Sequence, residues 1–167
     1  GGEIKSCYAT GGTTEAGHGG ALYLNSGQVK MTGGRMHYNY SENGNGGAIY
    51  IRNGNFFMED GMPVITKNSA QKGDGGAVFV TSLINDENET VKVNLQRGKI
   101  LENTANNYGG GVCVDMEGNA TKADVVIGVT GQGVTEDDAD PMITRNISLL
   151  QGGGLYVRGM NASITIN

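Results

Sequence analysis

Short runs of alternating apolar and polar residues recur along the whole chain, and no stretch shows the spacing of an amphipathic helix. One such run follows each pair of glycines, as in Leu22-Tyr23-Leu24. Another lies further along, as in Phe56 and Met58. Period-two runs that are short and rich in β-branched residues are typical of strands, so the pattern predicts an all-β protein.

Two motifs alternate through the sequence at a repeating interval. The first is a pair of glycines, a small residue and an apolar–aromatic–apolar triplet. Its five copies lie 27, 29, 34 and 43 residues apart and begin at Gly19, Gly46, Gly75, Gly109 and Gly152. The second is an apolar residue, two variable residues and an asparagine. Its asparagines are Asn39, Asn68, Asn103 and Asn146. Cys7 occupies the same position in the first copy.

Three short strands and three turns in about 27 residues make one coil of a solenoid. We therefore predict a right-handed parallel β-helix of about five stacked three-strand coils, with residues 1–167 forming a single segment. Coils stack at about 4.8 Å, so equivalent residues should form columns. Apolar residues would fill the interior, and the double glycines would supply sharp turns with positive φ. The four asparagines would form a buried structural ladder in which each amide bonds its neighbours.

The residues between the motifs carry the variation in length. Residues 81–90 and 128–140 lengthen two coils without touching the glycine or asparagine positions, so we expect them to be outward loops. Cys7 and Cys113 should lie roughly 15–20 Å apart along the axis, which is beyond the reach of a disulfide. Both thiols are expected to be free.

Composition and charge exclude several functional classes. The chain has 30 glycines but 37% hydrophobic residues, which together with the fixed motifs argues against disorder. A net charge of -5 without a basic cluster predicts no binding to nucleic acid. No apolar run is long enough to insert into a membrane, and the repeat begins without a signal peptide. We therefore expect a piece excised from a longer protein.

The motifs resemble those of the chlamydial polymorphic membrane proteins, whose passenger regions repeat GGAI and FxxN. GGAI occurs here as Gly46-Gly47-Ala48-Ile49, and this sequence uses Ile or Met where that family favours Phe. Similar glycine-pair coils occur in many bacterial surface proteins, and the chain resembles a bacterial surface protein with a pectin-lyase-like β-helix. The resemblance implies a secreted or cell-surface location, with adhesion or display as the function.

The most prominent candidate for binding is an aromatic stripe on one outer sheet face. It consists of Tyr23, Tyr50, Phe79 and Tyr156, with Cys113 as a gap. Exposed rings above small residues could receive a sugar or another protein, or could simply stabilise the sheet. We give the structural interpretation the greater weight, and among ligands we rank protein above sugar.

An enzyme of the polysaccharide-cleaving kind would need clustered carboxylates on that face. Only Asp115 lies there, beside Arg158, and the two are predicted to form an ion pair. We predict no cofactor and no metal, and we interpret His18 and His37 as surface residues. The acidic run 136–140 lacks the glycine and the spacing of a calcium loop, although calcium binding there stays open.

The sequence favours a non-catalytic rigid scaffold or adhesive segment of a secreted or cell-surface bacterial protein. Its partners would be a protein or glycan at a cell surface and neighbouring domains of the same chain. The alternative is a carbohydrate-binding or polysaccharide-cleaving β-helix module. An ice-binding solenoid is disfavoured, since no face shows a regular threonine array.

Overall fold

The computed structural model describes residues 1–11, 16–129 and 141–167, which form strands and turns without any helix. In chain order the strands are β1 (Glu3–Lys5), β2 (Tyr8–Ala9), β3 (Leu22–Leu24), β4 (Gly27–Lys30), β5 (Arg35–His37), β6 (Tyr40–Ser41), β7 (Ile49–Arg52), β8 (Gly54–Met58), β9 (Val64–Thr66), β10 (Ser69–Ala70), β11 (Val78–Thr81), β12 (Thr90–Leu95), β13 (Lys99–Leu101), β14 (Thr104–Ala105), β15 (Val112–Asp115), β16 (Lys122–Ile127), β17 (Met142–Thr144), β18 (Ile147–Ser148), β19 (Leu155–Arg158) and β20 (Ala162–Ile166).

Every fourth strand belongs to the same sheet, and each pairs in parallel with its equivalents before and after it. There are four sheets of five strands: sheet 1 is β1-β5-β9-β13-β17, sheet 2 is β2-β6-β10-β14-β18, sheet 3 is β3-β7-β11-β15-β19 and sheet 4 is β4-β8-β12-β16-β20. One circuit through sheets 1 to 4 is one coil. The chain is therefore a parallel β-helix of five coils, which confirms the predicted architecture.

Each coil contains four strands, one more than the three predicted. The additional strands are the two-residue members of sheet 2, which directly follow the asparagine position of each coil. Two residues are too few to show an alternation, so the hydrophobic pattern gave no indication of them. Their inward residues are small and buried, as with Ser41, Ala70 and Ala105.

The core is built of columns that run parallel to the axis. Sheet 3 contributes two columns, namely Leu22, Ile49, Val78, Val112 and Leu155, and Leu24, Ile51, Val80, Val114 and Val157. Sheet 4 contributes the largest fully buried side chain, Phe56, with Val29 and Val93 as its strand partners. Burial decreases at the last coil, where Ile147 is 56% and Ile166 is 74% exposed. The central coils therefore hold most of the hydrophobic stabilisation.

Two corners have positive φ in every one of the five coils. At the entrance to sheet 3 the first glycine of each pair has φ between 63° and 71°. The second glycine leaves no room for a side chain, because a Cβ on Gly76 would lie 2.2 Å from the carbonyl oxygen of Gly110. At the exit from sheet 1 the positive φ of 52° to 58° is carried by residues other than glycine. These are Ser6, Tyr38, Lys67, Glu102 and Arg145.

A buried asparagine ladder joins the coils at the corner between sheets 1 and 2. The Nδ2 atoms of Asn39 and Asn68 each donate to the Oδ1 atom of the next asparagine at 2.9 Å, and the Asn103 Nδ2 donates to Asn146 Oδ1 at the same distance. The same Oδ1 atom also accepts the backbone N–H of the preceding asparagine. Each amide thereby satisfies donors that would otherwise be buried without partners.

Replacing Asn68 with alanine should lower the free energy of unfolding by about 1–3 kcal/mol, because both Asn39 donors lose their shared acceptor in a dry corner. Urea denaturation monitored by circular dichroism measures the change. Asn25→Ala is the control, because this exposed asparagine accepts only the Arg52 Nε–H. Equal losses for the two variants would contradict the ladder's role.

Candidate functional site

The aromatic stripe lies on the outer face of sheet 3, with one residue from each coil. Strand pairing aligns Tyr23, Tyr50, Phe79, Cys113 and Tyr156. The rings of Tyr23 and Tyr50 stack with centroids 5.0 Å apart, and those of Tyr50 and Phe79 are 5.3 Å apart. The spacing follows the coil repeat, since each ring is carried by an adjacent parallel strand.

The expected exposure of this stripe is wrong at its centre. Tyr50 is 7% and Phe79 is 4% exposed, and Cys113 is inaccessible, whereas Tyr23 at the first coil remains 44% exposed. Side chains from the segment before each glycine pair contribute to this burial: the His18 ring stacks on Tyr50 at 4.3 Å, and Tyr108 stacks on Tyr156 at 4.6 Å. The buried residues of the stripe, Tyr50, Phe79 and Cys113, form a second apolar cluster on the outside of sheet 3, and Tyr108 and Tyr156 pack against it.

A second ladder, which the sequence analysis missed, runs along the position before each glycine pair. The side chain at this position accepts the backbone N–H of the equivalent residue in the next coil. Asn45 N–H donates to His18 Nδ1 at 2.9 Å, Asp74 N–H donates to Asn45 Oδ1 at 2.9 Å, and Tyr108 N–H donates to Asp74 Oδ1 at 3.1 Å. His18 is therefore a ladder member, which corrects its interpretation as a plain surface residue. The residue types differ, so only their fixed offset from Gly-Gly could have revealed the ladder.

Asp74 is the acidic residue of this second ladder, and its environment is unfavourable for a charge. Partial burial raises the pKa of its carboxyl group, and the hydrogen bonds from Tyr108 N–H and from the Asn107 side chain only partly oppose that effect. Burial also raises the pKa of the Cys113 thiol far above its ordinary value, with the Asp74 carboxylate as a further cause. Burial therefore favours the neutral thiol, which packs in the lateral cluster with Tyr50 and Phe79.

Both cysteines are free thiols. Cys113 lies on β15 in the fourth coil, whereas Cys7 lies between β1 and β2 in the first. Cys7 donates its backbone N–H to Asn39 Oδ1 at 3.0 Å and so begins the asparagine ladder.

Asp115, at the end of β15, forms an ion pair with Arg158 at the end of β19 in the next coil, as the strand register predicts. Arg158 donates from Nε to Asp115 Oδ1 at 3.0 Å and from a terminal nitrogen to Oδ2 at 2.5 Å. Its other terminal nitrogen lies 2.7 Å from Glu117. The pKa of Arg158 is raised, mainly by the hydrogen bond with Asp115. Both oxygens of Asp115 are engaged, so this face offers an ion pair instead of a free acid and base.

Within residues 1–11, 16–129 and 141–167, no three His, Cys, Asp or Glu side chains come together as a metal site. The acidic run 136–140, considered for calcium, lies outside the described residues. The described chain also contains no helix that is long and apolar enough to cross a bilayer. Comparisons with protein-family models, with curated proteins and with solved structures found no match to this chain.

Because Tyr50 is buried between stacked rings, Tyr50→Ser should lower the free energy of unfolding by about 2–4 kcal/mol. Tyr23→Ser is the matched control at the exposed end of the stripe and should cost less than about 1 kcal/mol. Urea denaturation of both variants distinguishes the buried from the exposed ring. A Tyr50→Ser variant as stable as the wild type would show that the stripe is open.

Asp74→Asn should stabilise the protein at neutral pH. The folded chain holds the Asp74 proton more tightly than the unfolded chain, so stability falls as pH rises from the unfolded to the folded pKa. The asparagine keeps an oxygen for the Tyr108 N–H and carries no charge. Melting temperatures measured from acid to neutral pH should show the gain shrinking toward about pH 4. Asp86→Asn, in the exposed loop before β12, is the control, and identical pH profiles for the two variants would refute the assignment.

Proposed function

We propose that this chain is a non-catalytic display scaffold, acting as a rigid adhesive segment of a secreted or cell-surface bacterial protein. The observation that carries the proposal is the uninterrupted stack, in which all four sheets continue through five coils. Side-chain hydrogen bonds also join successive coils at two corners, in the asparagine ladder between sheets 1 and 2 and in the ladder before the glycine pairs. Such a body holds its outer faces and loops in fixed relative positions.

The geometry of the coil favours display over simple spacing. Each coil uses 27 to 43 residues and adds only about 4.8 Å along the axis, whereas an extended chain covers that distance in two residues. The residues therefore build lateral surface, and the length they gain is small. The loop at 83–89, which is exposed between β11 and β12, adds to that surface.

The alternative of a carbohydrate-binding or polysaccharide-cleaving module draws less support from the aromatic face. Sugar stacking needs a row of accessible rings, and Tyr50 and Phe79 are covered. The adjacent carboxylate of Asp115 is occupied by Arg158 on both oxygens. A protein partner could still contact the exposed Tyr23 end.

The motif resemblance to the chlamydial polymorphic membrane proteins supports the location and the adhesive role. GGAI and apolar-x-x-Asn copies coincide with the two corners that close each coil. A pectin-lyase-like relationship is part of the same proposal, because such β-helices share the coil architecture. Neighbouring domains of the same chain would extend or anchor the stack.

Three measurements test the proposal. Antibodies against this segment should label intact cells of the source organism without permeabilisation, and beads coated with the segment should adhere to a cell surface better than beads coated with an unrelated protein of equal charge. The segment should also release no reducing ends or unsaturated uronates from a polysaccharide panel. Labelling that requires permeabilisation would overturn the location, and turnover of a polysaccharide would overturn the non-catalytic role.

A further inference from the structure

The outer side of sheet 1, together with the corner that follows it, carries an excess of positive charge. Five cations lie there: Lys5, Arg35, Lys67, Lys99 and Arg145. Among the described residues, the carboxylates of this sheet face and corner are Glu3 and Glu102. The excess is notable in a chain whose net charge is -5. We call this surface the basic face.

The two carboxylates neutralise only part of the basic face. Glu3 binds Lys5 at 3.1 Å and the His37 Nε2 at 3.0 Å, and these contacts lower the pKa of Glu3. Glu102 lies 3.8 Å from Lys67 and 3.4 Å from Arg145. Arg35 and Lys99 form no ion pair with any residue that the structure describes. Their charges are available to a ligand.

A shallow groove of about 440 Å³ lies between these two cations. Arg35 and Lys99 are both strand partners of Val64 on β9, so they flank the groove from the neighbouring coils. Tyr38, Lys67 and Glu102 line it from the corner, and the Glu102 carboxylate is paired there with Lys67 and Arg145. The Tyr38 ring is 42% exposed, and its hydroxyl lies 3.3 Å from the Lys67 ammonium. The groove thus combines fixed cations with an accessible aromatic ring.

The corner that follows sheet 1 carries a residue other than glycine at positive φ in every coil. Tyr38 and Lys67 have φ of 54° and 55°, a conformation that glycine adopts at less cost. At the corner before sheet 3, by contrast, the chain uses glycine in every coil. Tyr38 and Lys67 therefore belong to a surface made of side chains, at some cost in backbone energy relative to glycine.

We propose that the basic face binds an acidic polysaccharide, with carboxylate or sulfate groups on Arg35 and Lys99 and a sugar ring against Tyr38. The two cations are separated by two coil steps, roughly 9–10 Å, so they match a polymer whose charges repeat along its length. An aromatic ring beside fixed cations suits a charged pyranose. The inference goes beyond the display role and does not depend on it.

Other polyanions fit these features less well. Nucleic acid binding needs a longer basic track than the three coils that line this groove. An extended acidic peptide places same-side carboxylates about 6.6–7 Å apart, which is shorter than the separation of the two cations. Nucleic acids and acidic peptides are nevertheless negatively charged as well, so the binding test must include both.

The test measures binding of the protein to fluorescein-labelled polygalacturonate and heparin, with dextran as the neutral polymer, at low and at physiological salt. We expect binding to both acidic polymers, weakened by salt, and none to dextran. The variant Arg35→Glu/Lys99→Glu should lower the affinity at least about tenfold. Lys92→Glu/Lys122→Glu on sheet 4 makes the same change in net charge and should lower it less than about threefold. Circular dichroism and melting curves verify that both variants fold.

Tyr38→Asn separates ring stacking from charge, because asparagine tolerates the positive φ. It should weaken polygalacturonate binding severalfold without altering the salt dependence.

Equal losses in the two charge-reversal variants would overturn the proposal, as would absence of binding to either acidic polymer. A duplex oligonucleotide, a poly-aspartate peptide or phosphatidylserine vesicles bound more tightly than both polysaccharides through the same residues would overturn the assignment of the ligand class. None of these outcomes bears on the surface labelling that tests the display role.

Discussion

The parallel pairing of each strand with its equivalents in the adjacent coils is the constraint on which the rest of the structure depends. Because the register is fixed, each residue lies directly above and below a residue with the same position in the repeat. Apolar residues therefore form interior columns, and polar residues form ladders. A steric restriction at one position of the repeat therefore recurs in every coil. Glycine recurs for this reason at the position of Gly76, whose backbone contacts the carbonyl group of Gly110.

The two ladders have a direction, and that direction explains the variation within them. In the asparagine ladder each coil donates to the Oδ1 atom of the next coil, so Cys7 in the first coil needs only its backbone N–H. In the ladder before the glycine pairs, each side chain needs only an acceptor atom. Histidine, asparagine and aspartate all supply one, which allows His18, Asn45 and Asp74 to occupy equivalent positions.

The outer face of sheet 3 is largely covered by side chains, whereas the outer face of sheet 1 is open to solvent. On sheet 3 the rings stack on one another and are covered by His18 and Tyr108, so the apolar surface there stabilises the protein itself. On sheet 1 the outward positions carry charges around an open groove, and Arg35 and Lys99 keep theirs unpaired among the described residues. The charged face of sheet 1 is therefore the more accessible of the two to a binding partner.

The amino-acid sequence by itself determined the all-β class, the five-coil repeat, the register of the columns and the positions of the asparagines. These follow from local periodicity, because stacking places equivalent residues together whatever the rest of the chain does. The ion pair between Asp115 and Arg158 followed from the same register.

Only the tertiary structure decided which outer residues are exposed. Burial of Tyr50 and Phe79 depends on side chains that lie outside their own strand, and a period-two pattern specifies the face of a residue without specifying what covers that face. The two-residue strands of sheet 2 and the backbone strain at Tyr38 also leave no mark on hydrophobic periodicity. The basic face escaped notice because its cations are far apart in sequence, and only coiling brings Arg35 and Lys99 to either side of one groove.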